Sequence, residues 1–236
     1  MTSEDLRFIM AVFWGAIGFA GYYFLSNNKV FVQRVGSLSN RFDGQGNQVL
    51  LQRILGVLFL GLLSALIIIL LPGITPGEYG LGFSFLTAPP WWSFLFIPLI
   101  LVIGYYSSKR SGNLENYPQI RAKTWTPGMI AISGTSWVLF LVGYEFMFRG
   151  FLLQASLGLM EAGPAIVLNC ALYALSHLYK GPGETFAVIP VGILLCYMTM
   201  ITGNIWCAVI IHSVMALSNE WFSLHFHSGM EIIKAR

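Results

Sequence analysis

Seven stretches of this chain, residues 8–25, 49–71, 91–106, 129–153, 164–179, 186–201 and 205–224, are apolar almost throughout. About 20 apolar residues cross a bilayer as a helix, because in lipid every backbone N–H and C=O has to be paired within its own segment. The expected fold is therefore all-α, a polytopic membrane helix bundle of about seven transmembrane helices. The third, fifth and sixth stretches are short enough for re-entrant, tilted or broken geometry.

Composition agrees: 56% of the 236 residues are hydrophobic and 10% charged, against about a quarter charged in soluble domains. No polar stretch is long enough for a separate core, so residues 1–236 read as a single integral membrane domain. Membrane lipids are the first expected partner. The net charge of +3 comes from basic residues scattered over short loops, which gives no support to a nucleic-acid partner. Cys170, Cys196 and Cys207 fall in apolar runs without a CxxC pair, and read as small buried residues rather than a disulfide framework or thiolate metal site. The start, "MTSEDLRF", lacks the basic region and cleavage site of a signal peptide, so the first apolar run is expected to remain as a span.

Orientation follows from lysine and arginine in short loops. Lys29, Arg34, Arg41 and Arg53 flank or fill the first loop, Lys109, Arg110, Arg121 and Lys123 the third, and the second has none. Those basic loops, and the tail with Lys234 and Arg236, are expected at the cytoplasmic face. Trp91, Trp92, Trp125, Trp206 and Trp221 sit near span ends and read as interfacial aromatics.

Against this background, Glu145 and Arg149 in "LVGYEFMFRGFLLQ" read as the two charges lying well inside an apolar run. A charge at the centre of a span costs roughly 2.5 to 3.5 kcal/mol, so such a pair is retained for mutual compensation or for function. Four residues apart on a helix, the two share a face and form an ion pair, which by itself is a complete structural explanation. Two histidines weigh toward function: His177 in "ALYALSHLYKG" and His212 in "CAVIIHSVMALSN". A carboxylate and two histidines from three spans make a set suited to proton transfer or to metal binding.

The ordered motifs resemble a known family. An E-x-x-x-R-G helix (Glu145, Arg149, Gly150), an aromatic-x-x-x-His segment (Tyr173, His177) and a late-span histidine (His212) after "TGNIWCAVII" are similar to the CPBP family. This family includes CAAX prenyl endopeptidases and bacteriocin-processing or Abi proteins. Also similar are "TPGEYGLGF" at 75–83, "NYPQIR" at 116–121 and "KGPGE" at 180–184, so the likeness covers about residues 75–219. It implies an intramembrane endopeptidase in a bacterial inner membrane, acting on a peptide or prenylated peptide near the membrane. It further implies catalytic roles for Glu145 as base, His177 as its partner and His212 as oxyanion donor, with Arg149 orienting the glutamate and no cofactor.

Two positions depart from the pattern. Tyr144 stands where the family usually has a first glutamate, and Ala216 where the last motif has asparagine; Asn219 returns to nearly the same helix face about 10 Å farther along. Tyr144 reads as an anchor of its helix rather than an oxyanion donor, and Glu184 as an interfacial charge rather than a fallback base. Two alternatives stay open. One is a non-catalytic membrane immunity or scaffold protein that keeps the fold, and the other is a zinc hydrolase with metal on Glu145, His177 and His212. Arg149 argues against zinc by competing for the carboxylate oxygens.

Counting helix rise from the basic loops puts Glu145 about 25 Å into its span and His177 about 9 Å from the cytoplasmic face. The two cooperate only if a segment starts outside the bilayer, tilts or breaks. Gly128, Gly134, Gly143 and Gly150 mark the fourth span as the place for such a departure.

Overall fold

A helix satisfies its own backbone, and the apolar stretches do become helices. The computed structural model describes residues 1–36, 38–71, 76–82 and 91–233. Thr75 and Phe83 of the 75–83 motif, and Lys234 and Arg236 of the tail, lie outside the described residues. The helices are α1 (Ser3–Ser26), α2 (Lys29–Val35), α3 (Gly44–Leu70), α4 (Trp91–Ser107), α5 (Ser111–Leu114), α6 (Pro127–Leu157), α7 (Ala162–Leu175), α8 (Pro182–Thr202) and α9 (Trp206–Phe226). Five of them, α1, α3, α6, α8 and α9, are long and apolar enough to cross a membrane, and α4 and α7 are shorter apolar helices. The protein is an all-α membrane helix bundle.

The sixth apolar stretch, short in sequence, belongs to the 21-residue α8. Pro182 opens that helix, where its missing N–H costs nothing. Gly203 closes it in the left-handed region at φ 70°. Polar residues at both ends hid the true length.

Packing divides the chain into two compact units that interleave in sequence: Met1–Tyr22, Val57–Pro89 and Val142–Val209 form one, and Tyr23–Gly56, Pro90–Leu141 and Ile210–Arg236 the other. In the first unit, α3 and α6 each carry a π-helical segment, Val57–Leu62 and Phe146–Leu152, and the two segments pack together. Gly61 and Gly143 allow this approach, since a Cβ on either would lie 3.1 Å from backbone of the other. Such small-residue crossings are how helices associate where lipid removes the hydrophobic drive. Trp14 Nε1 donates to Ser64 Oγ at 3.0 Å and ties α1 to α3.

In the second unit, Trp125 is fully buried with Phe42, Leu50, Ile120, Met129 and Leu224. This corrects its interfacial reading. The cause is tertiary: strands β1 (Thr124–Trp125) and β2 (Glu231–Ile232) pair in parallel, and the segment after α9 covers the indole. Arg53 is also buried, contrary to its placement at a loop edge. Its Nη1 donates to Ser133 O at 2.7 Å and to Ser136 Oγ at 3.0 Å, and its Nη2 donates to Gln119 Oε1 at 3.0 Å. Glu220, 1% exposed, lies 3.8 Å from Arg53 Nη2 and accepts the Gln119 N–H at 2.9 Å. The chain thus holds a second buried ion pair, so Glu145 and Arg149 are not the only charges inside apolar runs. Arg53 and Glu220 lie within the apolar stretches 49–71 and 205–224, and a charge inside such a run is the sequence signal of a buried pair.

Candidate active site

The polar residues of the first unit collect where α6 loses its α-helical register. The segment Phe146–Leu152 is π-helical; such single-turn insertions re-aim side chains and occur often at functional sites. The Phe148 carbonyl accepts the Leu153 N–H of the π pattern and also Asn169 Nδ2 from α7, at 2.6 Å. Cys196 Sγ of α8 donates to the Asn169 oxygen at 3.3 Å. Asn169 therefore links the three helices at the distorted turn. Gly150 is required there by close approach, because a Cβ would lie 2.7 Å from the Tyr79 carbonyl oxygen. The departure falls within the span in which the glycines placed it.

Glu145 and Arg149 are both 0% exposed, with Arg149 Nη1 3.3 Å from Glu145 Oε2. The guanidinium carbon also sits 4.3 Å from the centroid of the Tyr173 ring, a cation–π contact that is strong when desolvated. Gly192 of α8 leaves room for the Tyr173 ring, since a Cβ there would lie 3.1 Å from it.

His177 follows the end of α7 and is 7% exposed. Its ring centroid is 4.7 Å from that of Tyr173 and 6.2 Å from that of Tyr144. The Tyr144 hydroxyl lies 2.6 Å from Ser176 Oγ. Tyr144 adjoins Glu145 and Ser176 adjoins His177, so the turns carrying the acid and the imidazole stand side by side. The separation expected from counted helix rise does not hold. At 31 residues and 1.5 Å per residue, α6 is about 46 Å long, well over the roughly 30 Å of hydrocarbon. Depth counted from one end of such a helix does not locate a residue. Tyr144 behaves as the anchor that its sequence position suggested.

His212 is buried on α9, 8% exposed, and belongs to the second unit. Ala216 and Leu217 pack beside Tyr117, Trp137 and Leu141 in that unit. Glu184 pairs with Lys180 at 3.2 Å, both partly exposed in the first turn of α8 and just before it, as expected of a surface charge near a helix N-terminus. Among the described residues, no group of three or more His, Cys, Asp or Glu side chains is arranged to hold a metal ion. Arg149 lies against the Glu145 carboxylate, where its guanidinium would compete with a metal ion for the oxygens. Sequence reasoning did not pick out Ser176 and Asn169. Their only signal was polarity at one residue before the histidine and at two turns before it.

An apolar groove of about 470 Å³ runs between α7 and α8, lined by residues that include Ile166, Val167, Cys170, Ile189 and Ile193. Its volume lies in the range of small-molecule sites, 300 to 1,000 Å³ as an order of magnitude.

Neither a curated protein nor a solved structure matches this chain. A family does: residues 126–218 match the Rce1-like family, described as type II CAAX prenyl endopeptidase Rce1-like. That segment runs from the start of α6 into α9 and contains Glu145, Arg149, Tyr173, His177 and His212. Over that segment the chain is similar to the Rce1-like family of type II CAAX prenyl endopeptidases.

Proposed function

We propose that this protein is an intramembrane endopeptidase in which Glu145 and His177 activate a water molecule against a peptide bond close to the membrane. The observation that carries the reading is the 2.6 Å bond between Tyr144 and Ser176, which draws together the turns bearing the acid and the imidazole. The family match over residues 126–218 supplies the reaction class. A carboxylate and an imidazole with one water between them perform general base catalysis, worth about 10²- to 10⁴-fold in rate. Arg149 pairs with Glu145 and fixes its rotamer. His212 takes the oxyanion role that the family motif implies, worth about 2.7 to 4 kcal/mol where such a donor acts. The substrate is a peptide with an apolar or prenylated portion, and the groove between α7 and α8 is apolar enough to receive that portion.

The test is cleavage of a membrane-proximal peptide by purified protein, expressed per folded molecule. Glu145→Gln and His177→Ala are each expected to lower kcat by at least 10²-fold, and His212→Ala by about 10²-fold. Parent-like rates in both of the first two variants would remove the proposal.

A second reading has an observation of its own. Glu145 is completely buried against Arg149, which suits a structural ion pair in a membrane scaffold or immunity protein that has lost turnover. That reading predicts a cellular phenotype unaffected by Glu145→Gln once the fold is restored, and sensitive instead to bulk at Gly150 or Ala216.

A further inference from the structure

In the second unit the ends of α4 and α9 meet through aromatic rings. The Tyr105 centroid lies 5.5 Å from that of Phe222 and 5.3 Å from that of Phe226, both edge-to-face. Lys109 lays its ammonium over this group, 4.1 Å from the Tyr105 centroid, 5.0 Å from that of Phe226 and 5.4 Å from that of Tyr106. Contacts to three rings hold a flexible cation in one place, so less rotamer freedom is lost when an anion binds it. Phe226 is also one wall of a concavity of about 320 Å³, which Ser111, Leu114, Glu115, His227 and Ser228 complete. Its walls are tied from behind. Asn113 Nδ2 donates to Ser223 Oγ at 2.7 Å, joining α5 to α9, and the Arg121 guanidinium donates to the Leu114 carbonyl at 3.0 Å and to that of Glu115. His227 Nδ1 accepts the Gly229 N–H at 3.2 Å, and the chain beyond it is held by the pairing of β2 with β1. Among the described residues, neither the Glu115 carboxylate nor the Lys109 ammonium forms an ion pair.

A fixed cation and a carboxylate that share one aromatic wall offer opposite charges to a zwitterion, and the surface beside them says what carries it. On α4, Leu99, Val102, Ile103 and Tyr106 are 51% to 64% exposed. Their spacing puts them on one face of the helix, an apolar stripe that runs toward Lys109, three residues past Tyr106. Such a stripe seats acyl chains, and an aromatic-rich helix end with basic residues lies at headgroup level. We propose that this concavity binds the headgroup of a phospholipid that carries a primary ammonium, with its phosphate on Lys109 and Ser111 and its ammonium on Glu115. The primary ammonium donates hydrogen bonds to the carboxylate. A choline headgroup has no N–H to donate, and a glycerol headgroup brings no cation to Glu115. The site is separate from the proposed chemistry of Glu145 and His177, and it stands whether or not the chain cleaves peptides.

The experiment is native mass spectrometry of the full chain in detergent, titrated with acyl-matched phospholipids bearing ethanolamine, choline or glycerol headgroups, with Kd read from the lipid-bound fraction. The ethanolamine lipid is expected to bind about three- to tenfold more tightly than the other two. Glu115→Ala should remove that preference, and Lys109→Gln should weaken all three lipids, because each carries the phosphate. Glu161→Ala, which removes a carboxylate at the start of α7, should leave the preference intact. All three substituted side chains are exposed, so the variants should fold as the parent does. A parent without the ethanolamine preference overturns the proposal. So does a preference that survives Glu115→Ala or vanishes with Glu161→Ala, and so does unchanged binding in Lys109→Gln. Glycerophosphoethanolamine, the same headgroup without acyl chains, separates a lipid from a soluble ligand. It should compete only at concentrations at least about tenfold higher than the lipid, and displacement at equal concentration overturns the assignment to a lipid.

Discussion

The ion pair of Glu145 and Arg149 gives the test that best separates chemistry from scaffolding. Both side chains are 0% exposed and their charges stand 3.3 Å apart, so at an effective dielectric of about 20 the attraction is on the order of 5 kcal/mol. Much of that offsets desolvation. The measurable consequence is the cost of leaving one charge alone, about 3 to 5 kcal/mol for a buried pair, while replacing both partners by apolar groups of similar size is near neutral. Glu145→Gln should therefore destabilise the protein by about 3 to 5 kcal/mol, because Arg149 stays charged under the Tyr173 ring. Arg149→Met should be comparably costly, and the double variant Glu145→Gln/Arg149→Met should lose only about 1 to 3 kcal/mol, the cost of a buried amide without its ionic partner. Equilibrium unfolding in mixed micelles of mild and denaturing detergent measures all three. If Glu145→Gln costs under about 1 kcal/mol, or if the two single losses simply add, the pair is not the coupled buried unit described here. Activity in the restored double variant then discriminates function. An endopeptidase whose base is Glu145 stays inactive when refolded, whereas a scaffold regains its phenotype.

Other consequences follow from close packing and from the second ion pair. Gly150→Ala places a methyl group 2.7 Å from the Tyr79 carbonyl oxygen and should lower stability by about 1 to 3 kcal/mol, seen as a lower thermal midpoint in the same micelles. Asn169→Leu removes the side-chain donor to the Phe148 carbonyl and should cost about 1 to 3 kcal/mol, with kcat falling more than KM rises if the π-helical turn sets Glu145. Arg53→Met should cost about 3 to 5 kcal/mol by isolating the Glu220 carboxylate, and Arg53→Met/Glu220→Gln should recover most of it; an additive pair would contradict the coupling.

Much of the architecture was legible because bilayer chemistry acts on sequence directly. Apolar runs near 20 residues identify spans, which is why all seven stretches appear as helices and why three buried cysteines needed no disulfide. Glu145, Arg149 and His177 stood out for a similar reason, since polar groups are expensive in lipid and so few are present. Trp125 shows where the reading stopped. An indole near a span end looks interfacial until a strand from the far end of the chain folds over it.

The same division holds for the site. The residue types that can carry acid–base chemistry, and the helices that bear them, were set by sequence alone through hydropathy and motif spacing. The tertiary structure decided that Glu145 and His177 lie on neighbouring turns, that Tyr144 and Ser176 bond between them, and that Arg53 finds Glu220. Those outcomes depend on a π-helical insertion and on bonds between residues far apart in the chain. Neither leaves a periodic trace, because local propensity fixes the rise of a helix but not which turn of another helix it meets.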